Sequence, residues 1–68
     1  MATVEGNIRK YAEEHGIRNK FLAAKVGVTD SKMSFILHER QKIGCIELFK
    51  LSEALGVPME TFFEGVND

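Results

Sequence analysis

The stretch NKFLAAKVGVTDSKMSFIL, residues 19–37, constrains the chain most. Two short apolar-periodic runs lie on either side of Val26-Gly27-Val28. Isolated helices shorter than about 12–15 residues are marginal in water, so neither run holds itself together. Each needs the rest of the chain as a scaffold, and the turn between them is too tight to be a linker.

The totals limit what that scaffold can be. The chain has 68 residues, which predicts one domain over 1–68. A domain this small buries only about 60% of the surface of its unfolded chain, leaving no room for an elaborate catalytic cleft. Hydrophobic content of 44% and charged content of 28% are ordinary for a globular domain. No apolar run nears the roughly 20 residues of a membrane span. The start, MATVEGNIRK, lacks the pattern of a secretion signal, and Cys45 has no partner for an internal disulfide. These features predict a cytoplasmic protein with no membrane partner. Charge is unevenly spread. Residues 1–43 carry eight Lys or Arg against five Asp or Glu, whereas residues 44–68 carry Lys50 against five acids. A basic front and an acidic back suit one anion-facing side, although segregation by chance in a short chain gives the same numbers.

Helix signals recur along the chain and strand signals are nearly absent. Over about Thr3 to His15, the residues Val4, Ile8, Tyr11 and Ala12 make one apolar stripe, closed by Gly16 as a left-handed cap with Ile17 folding back. The second segment, about Asn19 to Val26, buries Leu22, Ala23 and Val26 with Phe21 beside them, and Gly27 ends it. Thr29 is a good N-cap for a third segment running to about His38, with Met33, Ile36 and Leu37 inward. Asp30 complements the positive end of that helix. HERQKIG reads as a basic loop. The fourth segment, about Cys45 to Leu55, carries Cys45, Leu48, Leu51 and Leu55 in register, with Ile46 and Phe49 widening the stripe. Gly56 caps it, and Pro58 starts a short fifth helix with Met59, Phe62 and Phe63 on its apolar side. The expected core spans 4–64, and the tail 65–68 is expected to fray. The fold class is all-α, a compact domain of five short helices.

Numbered from Asn19, the opening stretch meets every demand of a helix-turn-helix, two helices at about 90–120° across a short turn. The fifth position must be small where the helices press together, and it is Ala23. The ninth must tolerate positive φ, and it is Gly27. Buried apolar residues are required at Leu22, Val26, Val28, Met33 and Ile36, and all are apolar.

From about Ile8 to Phe63 the chain resembles the lambda-repressor-like domain of Xre/Cro-type regulators of phages and bacteria. The residues that carry the resemblance are IRKYAEEHGIRNKFLAAKVGVTDSKMSFI, then RQKIG, then LFKLSEALGVPMETFF. The resemblance implies double-stranded DNA as the partner and no cofactor. It implies that the third helix, about 29–37, enters the major groove and reads bases through Asp30, Ser31, Lys32, Ser34 and Phe35. Lys32 can donate to guanine, and Ser31 and Ser34 are short adaptable partners. Asp30 either accepts from cytosine or only stabilises the helix start. Phe35 either packs on a thymine methyl or meets a partner protein. Phosphate contacts are implied for Arg18, Asn19, Lys20, Thr29, Arg40 and Lys42. Arg18 is a weak N-cap, and Leu37 stands where many relatives carry a Glu that pairs with a first-helix Arg, leaving Arg9 and Lys10 without that partner.

Other constellations carry less. His15 and His38 are isolated and read as helix-end residues, so no metal is expected. Ser34 and His38 share a face but lack a carboxylate to complete a triad. Cys45 reads as core. Ile46, Phe49, Phe63 and Val66 either complete a thin core or form a homodimer contact in the helix 4–5 region. The expected function is a sequence-specific transcriptional regulator, bacterial or phage-encoded and nucleoid-associated, a repressor and not an enzyme. The alternative keeps the fold and makes it an antirepressor-like or antitoxin-like protein-interaction module. No ligand-sensing domain is expected, so a signal must come through a partner, proteolysis or concentration.

Overall fold

Thr3 opens the first helix. Its backbone is extended, and its hydroxyl oxygen accepts the Gly6 N–H at 2.9 Å, capping α1 (Val4–His15). The expected segment included Thr3; the structure sets it one residue outside, as the cap. At the other end Gly16 takes φ 65°, which glycine reaches without a Cβ penalty. The Ile17 N–H then returns to the Ala12 carbonyl at 2.8 Å, as the apolar fold-back predicts.

This computed structural model describes residues 2–67. After α1 come α2 (Asn19–Val26), α3 (Asp30–Leu37), α4 (Cys45–Leu55) and a 3-10 helix, η1 (Met59–Phe63). Among the described residues the only extended pairing is an isolated parallel bridge between Ala2 and Val66. The class is all-α, with four α-helices where five were expected. The fifth is a 3-10 turn because five residues between Pro58 and Glu64 leave little length for i→i+4 bonds, and the Thr61 N–H bonds Pro58 at i−3 instead. Pro58 is its N-cap rather than its first residue.

Helix α2 packs on α3 and α4, α1 on α3 and η1, and α4 on η1. Ile8, Leu22, Met33, Ile36, Leu51 and Phe62 are the largest fully buried side chains, at least one from every helix. Burying such a side chain stabilises by about 1.5–3 kcal/mol, and this shared centre is what holds helices too short to stand alone. The Tyr11 ring meets Phe62 edge-on with centroids 5.8 Å apart, seating η1 on α1.

Three expectations change. Cys45 is exposed, not core. The buried positions of α4 are Leu48, Leu51 and Ser52 with Leu55 half-buried, and Ile43, just before the helix, packs against the core where Cys45 does not. Phe49 and Phe63 do not complete the core either: they are 51% and 47% exposed, and Ile46 is 72% exposed. Finally, the tail is tied down as far as it is described. Asn7 Nδ2 donates to the Phe62 carbonyl at 2.8 Å and the Glu64 carbonyl at 2.9 Å. Gly65 turns the chain at φ 74°, and Val66 then bridges Ala2. The expected loose Asp68 lies outside the described residues.

Candidate nucleic-acid interface

The site is built on the joint between α2 and α3. Ala23 is 1% exposed, small enough for α3 to press directly on α2. Gly27 takes φ 87° and sends its N–H to the Ala23 carbonyl at 2.8 Å; the Val28 N–H reaches the same carbonyl at 3.0 Å. One carbonyl thus ends α2 and sets the turn. Val28 is half-buried against the core, while Leu22, Val26, Met33 and Ile36 are buried, as the pattern requires.

The start of α3 is fixed twice. Thr29 Oγ1 accepts the Lys32 N–H at 3.1 Å, the predicted cap. Asn19 Nδ2 donates to the Asp30 carbonyl at 3.1 Å, stitching the first residue of α2 to the first of α3. That bond uses one of the two N–H donors of the amide expected to meet a phosphate; Asn19 Oδ1 is buried without a partner among the described residues. Arg18 offers α2 no side-chain cap, as its residue type predicts. The end of α3 is fixed by a device that its residue types do not signal. Glu39 adopts φ 62°, rare for a residue with a Cβ. Its N–H bonds the Ile36 carbonyl at 3.0 Å and the Arg40 N–H bonds the Phe35 carbonyl at 2.8 Å, the paired bonds of a left-handed helix stop. The Glu39 carboxylate accepts the Thr3 hydroxyl at 2.6 Å, which ties this corner to the cap of α1. Glu5 of α1 steadies the same connection by accepting the Ile43 N–H at 2.9 Å.

With its ends pinned, α3 turns Met33, Ile36 and Leu37 inward and leaves Asp30, Ser31 and Phe35 exposed, with Ser34 half-buried. Phe35 is 51% exposed. Arg18, Lys20, Thr29, Arg40 and Lys42 are exposed, as phosphate-facing groups must be. Lys32 differs. Its ammonium lies 3.0 Å from Glu47 Oε2 in an ion pair whose side chains are 38% and 23% exposed. The other Glu47 oxygen accepts the Gly44 N–H at 2.9 Å, so one carboxylate caps α4 and holds α3. The Gly44 amide, and after it the Lys32 ammonium, hold the Glu47 carboxyl below its usual pKa. Nothing in the local sequence marks Glu39, Glu5 or Thr3 for this site; for Glu47 the one signal is its place three residues after Gly44, where the Glu half of a capping box sits.

The remaining candidates resolve simply. Nδ1 of His15 donates to the Tyr11 carbonyl at 2.9 Å, and its ring stacks on Tyr11 at 4.0 Å. Nδ1 of His38 donates to the Ser34 carbonyl at 2.9 Å, so the Ser34 hydroxyl is not its partner. Among the described residues no three His, Cys, Asp or Glu side chains gather as a metal site. No helix among them is long and apolar enough to cross a membrane.

Comparison with known proteins agrees with this geometry. A family model for the Cro/C1-type HTH DNA-binding domain matches residues 7–68. No curated protein and no solved structure matches the chain. The matched span takes in α2, its tight turn, the doubly pinned α3 and the helices that brace them, and the chain belongs to the Cro/C1-type helix-turn-helix DNA-binding family.

Proposed function

We propose that this DNA-binding regulator reads sequence in the major groove with the outer face of α3, and represses by occupying a promoter. The observation that carries the reading is the contrast across α3: three buried residues and two anchored ends on one side, and Asp30, Ser31 and Phe35 open on the other. A rigid helix with free polar side chains near its N-terminus is what base-edge recognition needs. Ser31 and Ser34 offer short hydrogen-bonding groups, Asp30 an acceptor for cytosine N4, and Phe35 an apolar contact for a thymine methyl. Arg18, Lys20, Arg40 and Lys42 flank the face as phosphate contacts, with Thr29 and the α2 start at Asn19 beside them. The protein acts on bacterial or phage DNA in the cytoplasm and catalyses nothing. Repression by occlusion is the simplest action for residues 1–68 read as one domain.

Selection from a pool of random duplexes tests the reading. The wild type is expected to enrich a motif, and Ser31→Ala with Phe35→Ala to relax it. Enrichment of no motif, or an unchanged motif from the double variant, rejects base reading by α3.

A homodimer on a two-fold site is the accompanying proposal. It is supported by the exposure of Ile46, Phe49 and Phe63; Val66, close after Phe63 in sequence, is half-buried. Two such domains would set their reading helices roughly 34 Å apart. A palindromic motif and a dimeric mass in sedimentation support it; a half-site motif and a monomeric mass reject it. The same exposed aromatics favour one second reading, a protein-interaction module. Salt separates the two, since phosphate contacts weaken steeply as salt rises and an apolar contact does not.

A further inference from the structure

Lys32 is the only cation in α3, and in the free protein its ammonium is bound to Glu47 at 3.0 Å. Asp30 has no ion-pair partner among the described residues. With Lys32 held, the unpaired formal charge left on the outer face of α3 is negative, which opposes approach to a polyanion. The holding group is well fixed. Glu47 lies in the first turn of α4, and its other carboxylate oxygen keeps the Gly44 N–H at 2.9 Å. The bond to Gly44 keeps the Glu47 carboxylate in place against Lys32.

Resting on the reading that α3 faces DNA, we infer that Glu47 is a specificity-determining latch, which withholds Lys32 from the duplex and removes one cationic base contact from the recognition of this protein. The latched side chain is the one best suited by chemistry to guanine O6 and N7. Breaking the latch adds a contact rather than removing one.

Glu47→Gln isolates the effect. Its amide oxygen still accepts the Gly44 N–H, as glutamine does in capping boxes, but it cannot form the ion pair. The full chain, the Glu47→Gln variant and the Lys32→Gln, Glu47→Gln double variant are each taken through duplex selection, and then through a salt titration of binding to the enriched duplex. Glu47→Gln is expected to bind roughly two- to fivefold tighter, the range spanned by exposed ion pairs. Its salt slope is expected to steepen by about one, the signature of one added cationic contact. Its motif is expected to gain a guanine at one position. The double variant, with the pair neutralised on both sides, is expected to return to the wild-type motif and slope.

Tighter binding with an unchanged motif means only that an anion has been removed, and overturns the latch. Weaker or unchanged binding by Glu47→Gln overturns it too. In both cases a motif that Ser31→Ala still relaxes leaves the α3 reading standing. If neither the wild type nor Glu47→Gln enriches any motif, both the latch and the α3 reading fall. Thermal melting of the two variants, which share the same cap, controls for folding.

Discussion

Helices α2 and α3 are the same length, eight residues, and each buries three side chains. They differ at their ends. α2 begins at Arg18 with no side-chain cap. α3 begins under a Thr29 cap, is stitched to Asn19 and tied to Glu47, and stops at a strained Glu39. Both helices expose residues, but α3 carries the additional anchors, and apart from the Lys32–Glu47 pair these leave Asp30, Ser31 and Phe35 free. Burial makes both helices; their ends set them apart.

The comparison can be broken first through burial. Leu22→Ala in α2 and Met33→Ala in α3 each remove a fully buried side chain, and each is expected to cost about 3 kcal/mol, more than 10 °C in melting temperature for a domain this small. Nearly equal losses by thermal denaturation support the view that the cores of the two helices are equivalent. A loss at Met33 much smaller than at Leu22 shows that α3 hangs on its ends alone.

The next effect is at the joint. A Cβ at Gly27 meets nothing within 4 Å, so Gly27→Ala carries only the conformational cost of φ 87°. That is about 1–2 kcal/mol, read from urea unfolding as a lower midpoint with an unchanged slope. The ends come third. Thr29→Ala is expected to lose about 1 kcal/mol, and Arg18→Ser to gain up to about as much, because α2 lacks what α3 already has. If Arg18→Ser gains nothing, the missing cap of α2 is satisfied by solvent and the asymmetry is only geometric.

The smallest effect follows pH. The Glu47 carboxyl is held below its usual value, so it contributes stability above the ordinary carboxylate range, and that contribution is lost as pH falls through its lowered pKa. Melting temperatures measured down into acid are expected to fall less for Glu47→Gln than for the wild type. Parallel curves sink the assignment.

What the sequence announces and what it conceals divide along the same line. Apolar spacing announces the four α-helices. Gly16, Gly27 and Thr29 announce three of the helix boundaries, because a left-handed stop or a cap is written in one or two neighbouring residues. Concealed are contacts between residues far apart in the chain: Lys32 with Glu47, Thr3 with Glu39, Asn7 with the carbonyls of Phe62 and Glu64. Nothing in the local pattern pairs such residues. Glu39 is concealed for a different reason. A glutamate gives no sign of positive φ, and the hydroxyl that engages its carboxylate belongs to Thr3, the cap of α1. Cys45 misled because periodicity marks a stripe but not which residue at the helix start packs inward; Ile43, two residues earlier, does so instead. At the interface, the exposed face of α3 was legible from the helix-turn-helix register, whereas the engagement of Lys32 and Asn19 appears only once α4 and α3 are set beside them.

The bridge between Ala2 and Val66 has a consequence for topology. The two residues lie side by side but run in the same direction. Chain added before Ala2 therefore leaves the bridge one way, and chain added after Val66 leaves it the other. A two-residue hairpin, which joins antiparallel neighbours, cannot join these; a parallel pair needs a crossover of about a dozen residues or more. A circular form that keeps the bridge therefore needs a linker that turns back over it, longer than a two-residue hairpin.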